Sequence, residues 1–323
     1  MSRYRILFSS PGRRVELIKI FRKEFGDSVI LFGASNDPSS PSFFFLDRIF
    51  TVPKDISRDD HAERLLEICR KNAVDLLIPL VDPELLVISR YRSHFEKSGT
   101  LALISDYESV QISADKLKTF QFFKNIGIPT PETWDLKDFE DLEPRYPVLL
   151  KPRYGSAGKG IYKVHNIDQL RALSTPEHIV QEIATGYEIT MDIFGTGDGR
   201  CIQAVPRLRL KVRGGEVERG ITIWDPRLLE YARIISKHFK PLGAINVQLF
   251  RDNKKYMFTE INARFGGGYP LSYRAGANFP RLILKMLKRE PIEEELGNYR
   301  RGIYMLRYDE AVYTERLKNM ESE

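Results

Sequence analysis

The sequence predicts an α/β protein, and three features of the chain predict it. Short apolar runs alternate with amphipathic helical segments over about the first 105 of 323 residues, as a parallel sheet requires. At about 150 residues per domain, the length leaves room for a second unit of similar size. That second half carries longer runs of strand-like alternation, broken by a glycine-rich loop between residues 155 and 160.

The elements follow in order. Tyr4–Ser9 is an apolar strand leading through Ser10-Pro11-Gly12-Arg13-Arg14 into a helix, where Val15, Leu17, Ile18, Ile20 and Phe21 cover one face. Strands are expected over Val29–Gly33 and Ile49–Val52, and an amphipathic helix with acidic residues in its first turn over Asp59–Lys71. Leu76–Leu80 reads as strand, Pro83–Phe95 as helix and Leu101–Ile104 as a last strand. The first turn has one glycine where a dinucleotide site needs G-x-G-x-x-G, which disfavours NAD and FAD. Ligands on such sheets still gather at the carboxyl ends of the strands, here marked by Gly12-Arg13-Arg14, Asn36-Asp37 and Asp82. Phe43-Phe44-Phe45 fits a packed core or domain edge. Residues Ser113 to Lys116 open a helix running to Asn125, and Thr130 to Pro147, with three prolines, reads as a connector. The final TERLKNMESE reads as a charged, frayed end.

Composition narrows the function classes. With 42% hydrophobic and 29% charged residues the chain is of ordinary globular make-up. Its longest stretch without a charged residue is ten, Pro241 to Phe250, against the roughly 20 apolar residues of a membrane-spanning helix. MSRYRILFSSPGRR lacks the apolar core of a secretory signal. Cys69 and Cys201 lie far apart, which excludes a disulfide scaffold or zinc ribbon and leaves a cytoplasmic location as the expectation. The net charge of +6 suits an anionic ligand, but the basic residues are spread along the chain with acids beside them, unlike a nucleic-acid-binding face.

The second half holds the chemistry. In PVLLKPRYGSAGKGIYKV a strand ends at Lys151, and a loop follows with Gly155, Ser156, Gly158, Lys159 and Gly160. Glycines let backbone N–H groups approach a polyphosphate, and lysines neutralise it. It is not a Walker loop: Arg153 stands where the first glycine belongs and Gly160 where Ser or Thr belongs. A strand through Ile179–Ile183 then breaks at Gly186, with Glu182 and Glu188 on either side. In YMFTEINARF, Glu260 and Asn262 share a face because they are two apart. A three-residue loop at Asp252–Lys254 puts Gln248 on that face too, the register being open to a one-residue slip. Two amide oxygens beside a carboxylate suit Mg²⁺, and Arg264 is placed to reach a transferring phosphate.

Lys116, Lys151, the Gly186-to-Glu188 break and the Glu260-to-Arg264 strand, in this order, resemble the ATP-grasp superfamily, with the large subunit of carbamoyl-phosphate synthase and its stand-alone relatives nearest in appearance. The resemblance covers nearly the whole chain. It implies a Rossmann-like pre-ATP-grasp domain over residues 1–112 and a two-lobed ATP-grasp clamp over 113–323, with a mobile lid at about 130–185. It further implies that Lys116 and Lys151 bind phosphates and that Gly155 to Gly160, Ser156 and Lys159 among them, close over them. Gln181, Glu182 and Ile183 would line adenine, Glu188 would hold the ribose, and Gln248, Glu260 and Asn262 would ligate Mg²⁺, as two ions, with Mn²⁺ able to replace them. Arg264 would sit at the transferred phosphate, with Lys151 as its catalytic companion.

Such a clamp activates a carboxylate as an acyl phosphate and couples it to an amine, as an ADP-forming carboxylate–amine ligase. Candidate substrate residues are Arg207 and Arg209, with Arg213, in VPRLRLKVR, and Gly267 and Tyr269, with Ser272 and Arg274, after Phe265. The GGGYPL wording departs from the serine-rich loop of the synthase, against a carbonate substrate. Alternatives are a subunit of a split synthase-like enzyme and an ATP-binding regulator or scaffold without catalysis. Small-molecule carboxylate and amine partners are expected, with no nucleic acid or membrane, and a homodimer is compatible with the sequence.

Overall fold

The computed structural model describes residues 3–139, 145–155, 158, 160–253 and 255–321. Five parallel strands open the chain: β1 (Tyr4–Ser9), β2 (Val29–Ser35), β3 (Arg48–Thr51), β4 (Leu76–Pro79) and β5 (Leu101–Ala102), in the order β3-β2-β1-β4-β5. The strands are apolar on both faces, as a sheet covered by helices on both sides demands. Helix Val15–Phe25 packs on one side through Leu17, Ile18 and Phe21, and helix Asp59–Lys71 on the other through Leu65, Leu66 and Ile68. The chain order reverses between β1 and β4, so the turns after those two strands lie at the switch point where such sheets bind ligands.

The helix expected over Pro83–Phe95 is two, Asp82–Arg90 and Arg92–Lys97, interrupted at Tyr91. Asp115 starts helix Lys116–Asn125 by accepting the N–H groups of Leu117 and Lys118 at 2.9 and 3.3 Å. The connector that follows is structured: β6 (Thr133–Asp135) joins β7 (Val148–Pro152), β8 (Tyr162–Val164) and β9 (His178–Glu182) in a four-stranded sheet ordered β6-β9-β7-β8. This lobe has its own small core of Phe139, Val148, Leu150, Val164, Leu170 and Val180.

A six-stranded sheet follows, ordered β14-β13-β10-β11-β12-β15. Its strands are β10 (Tyr187–Thr196), β11 (Cys201–Arg213), β12 (Glu216–Thr222), β13 (Leu242–Asp252), β14 (Lys255–Asn262) and β15 (Tyr304–Leu306). One face, with Ile189, Met191, Ile193, Ile245 and Val247, packs on Leu228, Ala232 and Ile235 of helix Pro226–Phe239. The opposite face is mixed: Phe194, Val205 and Ala244 join the core shared with the N-terminal sheet, and Thr190, Asp192, Arg207, Asn246 and Gln248 form a polar stretch. The C-terminal tail is not frayed: the Glu321 N–H donates to the Ile49 carbonyl at 2.9 Å, the Thr51 N–H donates to Glu321 at 3.0 Å, and the Lys318 ammonium donates to Leu46 at 2.8 Å. The tail thereby covers the outer edge of β3, an edge that its charged composition did not reveal. Among the described residues, no helix is long and apolar enough to cross a membrane.

Candidate active site

The β13–β14 hairpin decides which side chains share the polar face. Its turn is tighter than the three-residue loop expected, because Asp252 pairs with Lys255. Carried through unbroken, that register would set Gln248 opposite Thr259, on the wrong face for Glu260. A bulge after Gln248 absorbs one residue, so Gln248 pairs with Glu260 and Asn246 with Asn262. Gln248 also pairs across with Thr190 on β10, and Thr190 with Arg207 on β11, so one polar row crosses four strands.

Asp115 draws the two lysines to this row. Besides capping the helix that begins at Lys116, its carboxylate binds the Arg153 guanidinium at 2.8 Å, two residues beyond Lys151, and the Lys116 N–H donates to the Arg153 carbonyl at 3.1 Å. The Lys151 ammonium is buried and donates to Gln181 Oε1 at 2.7 Å, while Gln181 Nε2 donates to the Thr133 hydroxyl at 2.8 Å. Burial pushes Lys151 down to about 8, Glu260 opposing and Lys116 adding to the shift. Burial also lowers Lys116, with Glu260 the strongest opposing charge. Glu260 itself is raised by burial, against the pull of Lys116, Lys151 and Arg264. Glu260 is the common neighbour: its charge acts on both lysines, and Lys116, Lys151 and Arg264 all act on it, which brings the four to one charged centre.

The remaining expected nucleotide residues are partly committed to one another. The Lys116 ammonium donates to the Gly155 carbonyl at 2.6 Å, closing the start of the glycine loop on the centre. Gly155 and Gly158 hold φ of 98° and 69°, which their lack of a Cβ permits. Ser156 and Lys159 lie outside the described residues. Glu182 ends β9 and accepts the Glu132 N–H at 3.2 Å, and Ile183 begins the link to β10. Gly186 is required in that link: a Cβ there would lie 2.2 Å from the Arg251 carbonyl oxygen. Glu188 and Arg209, expected at the ribose and the substrate, pair with each other at 2.5 Å.

The expected substrate residues are largely engaged by other groups, although Arg207 Nη1 and Arg209 Nε are buried without a partner. Arg207 is buried in a two-point pair with Asp192, at 2.6 and 3.0 Å, and Ser272 donates to the same carboxylate at 2.5 Å. These groups build the floor of the site. Arg213 pairs with Asp309 at 2.6 Å. Tyr269 is fully buried between Phe265 and Phe279, its hydroxyl donating to Ala277 at 3.0 Å and accepting from the Phe279 N–H at 2.9 Å. A side chain with both roles filled inside the core does not meet a ligand. Gly267 stays at the site.

The N-terminal sheet supplies what sequence reasoning left unplaced. Arg264 donates to Asp82 at 2.8 Å and to Asn262 at 3.3 Å, and its buried Nε has no partner. Asp82 and Arg14, noted in the sequence only as strand-end residues, thus reach the centre from the switch point. Arg307 and Glu216 carried no sequence signal. The turn presenting Arg14 is fixed from below by fully buried Glu84, whose carboxylate accepts from the hydroxyls of Ser9 at 2.5 Å and Ser10 at 2.9 Å. His61 lies 3.1 Å from that carboxylate. Ser9, His61 and Glu84 are wholly inaccessible, so this grouping anchors the left-handed Ser10, with φ of 51°, and is no nucleophilic triad.

The donor set fits a magnesium nucleotide. Among the described residues no three His, Cys, Asp or Glu side chains cluster to hold a metal, so Glu260 with the amides of Gln248 and Asn262 makes a weak site that leaves positions for phosphate oxygens. Two lysines and an arginine with an unfilled donor stand ready for anionic charge.

Two family models match the chain. "ATP-grasp in the biosynthetic pathway with Ter operon" covers residues 174–310, and "PylC-like, N-terminal domain" covers residues 6–103. With the fold and the charged centre, these matches support an ATP-grasp protein and a likeness to one half of a carbamoyl-phosphate synthase large subunit, each model covering less than half of the chain. It is 28% identical over 157 residues to carbamoyl-phosphate synthase of Methanobrevibacter smithii, covering 46% of this chain and 41% of that protein. It is 25% identical over 236 residues to the 3-methyl-D-ornithine–L-lysine ligase of Methanosarcina acetivorans, covering 72% and 61%. The chain thus spans less than two thirds of the length of these relatives. The biotin carboxylase domain of Hydrogenobacter thermophilus 2-oxoglutarate carboxylase, solved with MgADP, ADP and bicarbonate, superposes with a TM-score of 0.74 at 17% identity, over 94% of this chain and 74% of that one. N5-carboxyaminoimidazole ribonucleotide synthetase of Thermotoga maritima gives 0.66 at 16%, over 90% and 77%. At these identities the two structures speak for the fold.

Proposed function

We propose that this chain is an ATP-dependent carboxylate–amine ligase. The observation that carries the reading is the convergence of Lys116, Lys151, Glu260 and Arg264, drawn from the helix after the first domain, the small lobe and the large sheet. Bound Mg-ATP would supply the phosphoryl group that converts a carboxylate to an acyl phosphate, which the amine then displaces with release of phosphate. Gln248, Glu260 and Asn262 would hold Mg²⁺, two ions being the expected number, which would offset the charge of the phosphates. Lys116 and Lys151 offset the repulsion between an anionic acid and a polyphosphate, and Arg264 holds charge at the group being transferred. The small lobe, with its separate core, is suited to swing as a lid that shuts out water. Glu188 reaches a ribose by releasing Arg209.

The test is a screen of carboxylate and amine pairs for Mg-ATP-dependent phosphate release, with product masses. Release of ADP with an amide product is expected. Mg-ATP binding without turnover on any pair would favour a regulator instead. A bicarbonate and ammonia pair belongs in the panel, because the match to carbamoyl-phosphate synthase supports the split-enzyme reading as the second choice.

The depressed Lys151 gives a pH signature. Above about pH 8 the nucleotide-free protein has lost the Lys151 proton. A bound polyphosphate favours the charged form, so binding takes up a proton and affinity falls as pH rises through 8. Calorimetry in buffers of different ionisation enthalpy reads the uptake directly. Lys151→Met should bind more weakly with that uptake removed, and an unchanged profile would contradict the assignment.

A further inference from the structure

Beyond the charged centre, a cavity of about 740 Å³ runs between helix Val15–Phe25, the Gly266–Gly268 loop and the C-terminal residues 304–312. Seven basic and four acidic side chains line it. At its inner end Arg14 and Arg307 meet across Gly267. Arg307 donates to the Gly267 carbonyl through Nη2 and to Glu216 at 3.1 Å through Nη1. Arg14 is mostly buried, its Nη2 3.7 Å from Glu216, and its buried Nη1 has no partner. Burial and the neighbouring Arg264 hold the Arg14 guanidinium down at about 10.

Glu216 alone stands between two guanidiniums, with a third, Arg264, beside them and held by Asp82. A buried donor left without an acceptor is unfavourable, and an arginine fork is shaped for a planar or tetrahedral anion. The glycine keeps the place open: a Cβ at residue 267 would lie 2.9 Å from Glu216 Oε1 and 3.1 Å from Arg14 Nη1. If the pair were a surface ion network only, Arg14 would be solvated or fully matched, and it is neither.

We propose that Arg14 and Arg307 bind a second anionic group, carboxylate or phosphate, on the acid that the enzyme activates. This rests on the ligase reading: Lys116, Lys151 and Arg264 are taken up by the nucleotide and the reacting carboxylate, and none of the three lines the cavity, whose Arg14 is the neighbour of Arg264. The substrate is thus a dianionic acid whose far end docks at Gly267. Arg307 supplies the reading head just after β15, so specificity lies in a segment that follows the expected nucleotide and metal residues in the chain.

Binding of butyrate, glutarate, succinate and phosphonoacetate is to be measured by calorimetry on the wild-type protein and on Arg307→Gln, Gly267→Ala and Lys151→Met, with Mg-ATP binding measured on the same samples. At least one dianion should bind tenfold or more tightly than butyrate. Arg307→Gln and Gly267→Ala should each weaken that dianion about tenfold or more and leave the Mg-ATP dissociation constant within about twofold. Lys151→Met should weaken Mg-ATP binding, which Arg307→Gln and Gly267→Ala do not, and Arg307→Lys should restore part of the dianion affinity. Butyrate binding as well as the dianions, variants at 307 and 267 binding like wild type, or no dianion binding while Mg-ATP binds would each overturn the proposal. Dianion binding sensitive to Arg307 in a protein that fails to bind Mg-ATP would support this site and overturn the ligase reading.

Discussion

Replacing Glu260 by Ala is expected to lower Mg-dependent turnover by on the order of 10³-fold or more, with the fold intact. Glu260 is the one carboxylate of the expected metal set, and its neighbours Gln248 and Asn262 are neutral amides that cannot replace its charge. Burial raises its pKa, which means that the ionised form is already costly without a cation. Removing it therefore takes little from the fold, while Lys116 and Lys151 lose their shared counter-charge and Lys151 moves further down. The same shift sets the acid limb. Protons compete with the metal at Glu260, so the magnesium concentration needed for half-maximal rate should rise as pH falls toward the raised pKa. Wild-type ADP production by the Glu260→Ala variant, or a magnesium requirement flat across the acid range, would remove Glu260 from the metal site.

The largest effect on stability is expected at Asp192. Arg207 is held by two hydrogen bonds to Asp192, both side chains are buried, and Ser272 completes the carboxylate. Asp192→Ala leaves a charged guanidinium without a partner inside the protein, which costs about 3–5 kcal/mol. Thermal unfolding should drop by roughly 10 °C. The Asp192→Leu, Arg207→Met double variant should regain most of that loss, because neither charge then remains to be desolvated. A single Asp192→Ala variant as stable as wild type would show that Arg207 reaches solvent or another anion, and would return it to the substrate candidates. Gly268 belongs to this unit: a Cβ there would lie 2.2 Å from Arg207 Nη1.

How much of this was legible in the sequence depends on how local the cause is. Helix Asp59–Lys71 agrees with its expected bounds to the residue, since its apolar spacing and acidic first turn are written within thirteen consecutive positions. The alternation of strands and helices in the first half is local in the same sense. The face shared by Glu260 and Asn262 follows from their spacing alone. The face of Gln248 does not: the turn is shorter than expected, and the bulge after Gln248 restores the parity.

The arginines show the limit most clearly. VPRLRLKVR places Arg207 and Arg209 on one side of a strand, and both looked equally free to grip a substrate. Whether each is free is settled by what stands opposite: Asp192 for Arg207, Glu188 for Arg209 and Asp309 for Arg213. Tyr269 was drawn inward by Phe265 and Phe279, a choice made by the packing of three rings brought together by the fold. In the reverse direction, Arg14 and Arg307 lie at opposite ends of the chain and meet over Gly267, which no spacing rule can register.

By itself, then, the sequence determined the α/β class, the order of the chemistry-bearing segments and the residue types available for a magnesium nucleotide, because periodicity and short motifs are properties of neighbouring residues. Only the tertiary structure decided which charges are spent on one another and which remain for a ligand. Burial and pairing depend on residues tens to hundreds of positions apart, and it is the desolvated, incompletely matched groups around Glu260 and Arg14 that give the +6 chain its use.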